Sequence, residues 1–236
     1  AHRPIDLAAL DVDWVAFSGH KLHAPFGTGV LAGRSDWLDA AAPYLAGGGA
    51  TAQVTPESTR WATGAARHEA GSPNVLGAVA LAAACATIRE HRAAIDAHEA
   101  ALTKALRDGL RTIDGVQTYS LFGEATARGP VVTFTVDGLD SQLVAAALSA
   151  EHGIGVRAGK FCAHILVDTL LEEGSEEHDS AVRVSAGLAS TPEHVARLVA
   201  AVTALAADGP GAEYELTEQG WAPVDDTREL DAPLPW

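Results

Sequence analysis

Apolar positions follow two different rhythms along this chain. Up to about residue 73 the apolar runs are short and bounded by Gly and Pro. Val15-Ala16-Phe17 and Gly29-Val30-Leu31-Ala32 read as buried strands. Ser35 suits the cap of a helix opening at Asp36-Trp37-Leu38. From 46 to 73 the density of Gly, Thr, Ser and Pro predicts one long functional loop. At Asn74 the rhythm becomes helical. Val75, Val79, Ala82, Ala83 and Ala86 keep helical spacing behind Asn74 as cap, predicting a helix to about His91. Ile95, Ala101, Leu102, Ala105, Leu106 and Leu110 form the apolar stripe of a second helix over 94–112.

Further on, Val131 to Val136 alternates with Thr and Phe, as a strand in a half-covered sheet does. Ser141 to His152 reads as a helix, Gly153 to Arg157 as a short strand, and Ala181 to Ala186 as a strand of the same sheet. Thr191 caps a last helix, with Pro192 and Glu193 suited to its first turn. Residues 172–180, acidic and polar, are expected to form a mobile surface loop. The tail from 207, rich in Pro, Gly and acids and carrying Trp221 and Trp236, is expected to drape over the surface as an arm. No internal repeat is visible.

Composition narrows the function classes. With 236 residues, 47% of them hydrophobic, the chain can build one large or two modest cores. Its net charge of −15, from 31 acidic and 16 basic residues, argues against nucleic acid and against an anionic membrane surface. The longest apolar stretch, Ala78 to Ala86, falls well short of the roughly 18 residues of a spanning helix. Two cysteines make no disulfide framework, so a reducing, cytoplasmic setting is the expectation. Met is absent even at position 1, which leads us to expect a longer protein upstream. None of the ten histidines forms a convincing metal arrangement, and no phosphate-cradling or nucleophile-elbow pattern occurs.

The chemistry points to Lys21. In Ser18-Gly19-His20-Lys21-Leu22-His23-Ala24-Pro25-Phe26-Gly27-Thr28-Gly29 a strand delivers one amine onto a turn. Burial and neighbouring cations there would lower its pKa, and such an amine forms Schiff bases with carbonyl compounds. Arg183 sits mid-strand, where an unpaired guanidinium is costly to bury and a carboxylate repays the cost. Cys162 has Arg157, Lys160 and His164 within five residues, a setting that stabilises a thiolate. Cys85, in an Ala-rich helix, is expected in the core.

These segments together resemble the class V aminotransferases, pyridoxal 5'-phosphate (PLP) enzymes that include cysteine desulfurases. The resemblance rests on four motifs in the family's order and runs from residue 1 to about 206. They are the Ser18-Gly19-His20-Lys21 turn, Gly47-Gly48-Gly49 leading to Arg67-His68-Glu69-Ala70-Gly71-Ser72-Pro73-Asn74, Gly153 to His164, and Ala181 to Leu188. It implies an α/β fold of the fold-type I PLP transferases: the end of a large domain at 1–75, linking helices and a small α+β domain at 76–206, and an extension at 207–236. About 150 to 200 further residues are then expected upstream, in keeping with a larger first domain.

By the same resemblance Lys21 holds the cofactor, and Ser18 and His20 bind its phosphate. Ser72 either reaches the phosphate of a neighbouring subunit's cofactor, making an obligate homodimer with shared sites, or belongs to an ordinary helix-capping turn. Arg183 holds a substrate carboxylate; Arg157 either binds substrate or positions the loop after it. Cys162 is the reactive cysteine of the desulfurases, which usually have two histidines where Lys160 and Phe161 stand and Met-Pro where this chain continues Ala163-His164-Ile165. The implied function is a cysteine desulfurase or related C–S lyase acting on L-cysteine or a conjugate, with a sulfur-acceptor protein as a possible partner. The alternatives are an aminotransferase, epimerase or kynureninase-like hydrolase, or a non-catalytic homologue.

Overall fold

The computed structural model describes residues 1–123, 126–174, 178–226 and 228. The chain divides into two compact units, Ala1–Ala93 and Ala94–Trp236.

The first unit is assembled from hairpins and one long helix. Asp6 caps a single helical turn, α1 (Leu7–Leu10), through its carboxylate. Strand β1 (Trp14–Ser18) pairs antiparallel with β2 (Gly29–Gly33), with Ser18 opposite Gly29. These two strands were expected to be buried. They are not: the pair stands as a two-stranded sheet, and Leu31 is 65% exposed. A short helix α2 (Asp36–Ala40) follows Ser35, whose side chain makes no capping bond because its backbone is already helical.

The expected loop at 46–73 contains structure of its own. Strands β3 (Thr51–Val54) and β4 (Thr59–Trp61) form a hairpin around Pro56-Glu57, and a 3-10 turn spans Gly64–His68. Helix α3 (Val75–Glu90) begins at the Asn74 cap, as its spacing predicts, and ends at His91. It buries Gly77 and Leu81 and packs on the turn that carries Lys21. The rest of α3 is open. Cys85 is therefore exposed rather than in a core.

The second unit has a layered core. Strands β5 (Val116–Tyr119), β6 (Val131–Val136), β7 (Arg157–Gly159) and β8 (Ala181–Ser185) form an antiparallel sheet ordered β5-β6-β8-β7. Alternation along each strand sends Val132, Phe134, Val136, Val182 and Val184 to one face. There they meet Leu102, Leu106 and Leu110 of α4 (Arg92–Arg111), Val144 and Leu148 of α5 (Ser141–His152), and Val195, Leu198, Val202 and Leu205 of α7 (Pro192–Asp208). Gly109 lets α4 and α7 come close: a Cβ there would sit 2.5 Å from Val199 Cγ2.

The opposite face carries Thr133, Ala181 and Arg183, and is partly covered by α6 (His164–Gly174), whose Val167 and Leu171 pack on Ala181. Two boundaries differ from expectation. The strand placed at 153–157 begins only at Arg157, because Gly153 ends α5 in the left-handed region at φ 61°. Helix α6 occupies much of the stretch around 164–174, and the rest of the expected loop at 172–180 lies in part outside the described residues.

The tail, expected as an arm over the surface, is a hairpin packed there. Strands β9 (Tyr214–Thr217) and β10 (Gly220–Pro223) pair and pack on α5. Glu151 holds it, accepting from Gly211 N–H at 3.0 Å and Tyr214 Oη–H at 2.9 Å, and Trp221 donates from Nε1 to Asp140. Trp236 lies outside the described residues. Among the described residues no helix is long and apolar enough to cross a membrane.

Candidate functional site

The Lys21 turn is built by close backbone approach. Gly19 donates to Thr28 O at 2.7 Å, and a Cβ on Gly19 would lie 2.9 Å from that oxygen, so glycine is required where β1 leaves its partner. A 3-10 turn over Gly19–Leu22 then projects His20 and Lys21. His23 closes it in the left-handed region at φ 63°, its N–H meeting Gly19 O and His20 O. Lys21 is exposed, so this unit does not supply the burial invoked for it above. His20 is exposed too and stacks on Phe26, ring centroids 5.0 Å apart. Ser18 is half-buried, and its hydroxyl is not spent on capping the turn.

Asn74 joins this turn to α3. Its Oδ1 accepts from Gly77 N–H at 2.9 Å, which caps the helix, while Nδ2 donates to Gly27 O and Thr28 Oγ1, each at 3.1 Å. The capping role is thus taken by Asn74, and the Ser72 hydroxyl, exposed on the preceding turn, is not needed for it. Beside them lies a cleft of about 400 Å3, bordered by Thr28, His68, Glu69, Gly71 and Asn74. Arg67 and His68 of the same motif hold backbone carbonyls, Ala41 O at 2.7 Å and Leu38 O at 2.8 Å. They brace the segment.

In the second unit three predicted residues come together. Arg157 and Arg183 are direct cross-strand partners in the β7–β8 pair. Cys162 follows β7, is exposed, and accepts from an Arg157 guanidinium nitrogen at 3.7 Å. Phe161 and Cys162 both adopt left-handed backbone, at φ 55° and 60°. For residues with a Cβ that conformation costs about 1–2 kcal/mol each, and such strain gathers at functional sites. A turn from Ala163 N–H to Lys160 O at 2.8 Å supports it.

Lys160 does not serve Cys162. Its ammonium is 2.6 Å from Asp168 of α6, and that hydrogen bond, opposed by some desolvation, raises its pKa above the ordinary lysine value. Asp168 is brought to it by α6, a helix the sequence reading did not anticipate. Arg183 is half-buried with its Nε buried and without a hydrogen-bond partner, and its guanidinium lies over the Phe161 ring, 5.2 Å from Cζ to the centroid. Sequence reasoning noted Phe161 only as a departure from a pattern. It missed the stacking of Phe26 on His20, and the bonds from Asn74 to Gly27 and Thr28, which join segments more than forty residues apart and leave no local signal.

The arrangement offers an exposed amine beside an available hydroxyl in one unit, and a thiol beside the Arg157 guanidinium in the other. A family model described as aminotransferase class V matches residues 1–198. The chain belongs to the class V aminotransferase family. Curated relatives of this member include a probable cysteine desulfurase of Vibrio cholerae, 37% identical over 202 residues, covering 85% of this chain and 47% of the relative. A cysteine desulfurase of Synechococcus elongatus is 36% identical over 202 residues, covering 86% of this chain and 31% of its own.

Among solved structures, a cysteine desulfurase from Escherichia coli superposes with a TM-score of 0.72 at 32% identity, covering 85% of this chain and 48% of that one. The apo cysteine desulfurase of Thermococcus onnurineus gives 0.76 at 31%, covering 87% and 50%. The class V chain therefore spans half or less of the length of these relatives. Its fold is the α/β fold-type I arrangement they share.

Proposed function

We propose that the protein is a PLP-dependent cysteine desulfurase acting on L-cysteine. The observation that carries this reading is the exposed Cys162 thiol at 3.7 Å from Arg157, with Arg183 opposite on the adjoining strand. The names of the relatives support it, and assigning the residues of both units to one reaction follows from those relatives.

The residues present suit the cofactor's reactive and phosphate ends. Lys21 offers a solvent-reached amine for its aldehyde, and Ser18 and His20 flank that amine as phosphate donors. Ser72 is assigned to the phosphate of a second subunit's cofactor, which makes the active form a homodimer. Bound there, PLP supplies an electron sink for charge developing at the substrate's alpha carbon. Lys21 takes and returns the proton at that carbon. Arg183 binds the substrate carboxylate through its planar fork. Arg157 holds negative charge on Cys162 Sγ. That sulfur attacks the substrate sulfur: an S–S bond forms, the Cβ–S bond breaks with its electron pair left on carbon, and protonation of the carbon releases alanine. The persulfide on Cys162 then passes to an acceptor thiol, most simply on a partner protein.

One observation favours a second reading, a C–S lyase in which Cys162 is a bystander. Lys160 is held by Asp168, so among the described residues Arg157 is the basic side chain that engages the thiol. Single-turnover assay of PLP-loaded full-length protein with L-cysteine separates the two. The desulfurase reading requires alanine and enzyme persulfide from the native protein and neither from Cys162→Ala. Undiminished turnover in Cys162→Ala with pyruvate as product refutes it in favour of the lyase.

A further inference from the structure

We propose that Phe161 is a positioning residue for Arg183, holding the guanidinium by its face so that its nitrogen-bearing edge is presented to a substrate carboxylate. The inference rests on the carboxylate-binding role proposed for Arg183 and adds how this chain achieves it.

Four observations converge. Arg183 has no carboxylate partner among the described residues, and its buried Nε has no hydrogen-bond partner, so nothing polar fixes its rotation. Its direct cross-strand neighbour is Arg157, and like charges in that relation repel. A mid-strand guanidinium pushed by its neighbour and held by no hydrogen bond at Nε would swing between rotamers. The Phe161 ring lies against it at 5.2 Å, a distance at which an arginine is attracted to an aromatic face. Finally, the ring is itself fixed. It packs on the cluster of Val167, Leu171 and Ala181, and the left-handed backbone at Phe161, adjoining the Lys160–Asp168 pair, turns it back onto the sheet.

Stacking by the face leaves the edge free, and the edge is what pairs with a planar carboxylate. The proposal therefore makes Phe161 a determinant of carboxylate affinity and leaves chemistry at Cys162 untouched.

The test uses full-length, PLP-loaded protein with Phe161→Leu and the face-preserving Phe161→Tyr, beside Arg183→Ala. The expected result for Phe161→Leu is a rise in KM for L-cysteine on the order of fivefold with kcat changed less than about twofold, and recovery in Phe161→Tyr. A readout independent of turnover is the Arg183 Nε–H cross-peak in protein labelled on arginine nitrogen, assigned by its loss in Arg183→Ala. The native peak is expected upfield from the ring current, to shift on adding L-alanine, and to ignore L-alaninamide. In Phe161→Leu the upfield displacement disappears and more L-alanine is needed to move the peak. An unchanged peak and KM in Phe161→Leu, or a fall in kcat alone, overturns the proposal while Arg183 keeps its role. Native-like L-alanine binding by Arg183→Ala removes the carboxylate role itself, and the proposal falls with it.

Discussion

Replacing Asn74 with Ala removes three hydrogen bonds at once: Gly77 N–H to Oδ1, and Nδ2 to Gly27 O and to Thr28 Oγ1. Loss of an N-cap costs about 1 kcal/mol. The two Nδ2 bonds lie at an exposed residue where water replaces them, so each contributes near the low end, about 0.5 kcal/mol. The expected destabilisation for Asn74→Ala is then about 2 kcal/mol. Asn74→Asp keeps the cap acceptor and places a negative charge at a helix N-terminus, worth about 0.5 kcal/mol, but forfeits both donations. Its expected cost is about 1 kcal/mol or less. Urea unfolding of the full-length protein measures both, and amide exchange localises them. Gly77 should lose protection in Ala and keep it in Asp. Gly19, whose N–H meets Thr28 O at 2.7 Å, should lose protection in both, because Thr28 is then released. Equal costs for Ala and Asp with Gly77 and Gly19 protected throughout would refute the claim that one side chain both caps α3 and steadies the Lys21 turn.

Three further outcomes are expected. Leu106→Ala, at a position 1% exposed in the core, should cost about 3–4 kcal/mol in denaturant unfolding through lost burial and the cavity left behind. Burial, with the Glu151 hydrogen bond, raises the Tyr214 phenol above its ordinary value. A raised acid favours the folded state below its unfolded value near 10 and loses that contribution as pH climbs beyond it. Alkaline absorbance titration should therefore show a late tyrosine phase, which Tyr214→Phe abolishes. At the other end, Arg228 donates to Asp226 and depresses its carboxyl from 3.8 to about 2. A depressed acid contributes above its unfolded value and less as pH falls through the folded one. NMR titration of Asp226 should place its midpoint near 2 and, in Arg228→Gln, return it towards 3.8.

How much was legible in the sequence can be seen residue by residue. The Asn74 and Thr191 caps were readable because each acts within three residues of itself. Helix α5 was readable over its full span, and β6 from its alternation. Lys21 on a turn after a strand was readable because Gly and Pro punctuate the chain there. The hairpin β3–β4 was hidden by loop-like composition, although Thr51 to Val54 and Thr59 to Trp61 flank a Pro-Glu turn. The hairpin within the tail was hidden for the same reason. Its order depends on Glu151, sixty residues away along the chain.

The sequence by itself determined helices α3, α4, α5 and α7 with the Asn74 and Thr191 caps, the turn that offers Lys21, and the residue types available for chemistry, since these depend on local backbone preference and side-chain type. Only the tertiary structure decided how those residues are used. Register in the β7–β8 pair placed Arg157 opposite Arg183, and left-handed backbone turned Phe161 under the guanidinium. Helix α6 brought Asp168 to claim Lys160, and the open side of α3 left Cys85 in solvent. Each of these depends on which surfaces meet after folding. Such meetings are settled by packing and pairing between segments far apart in the chain, to which local pattern is blind.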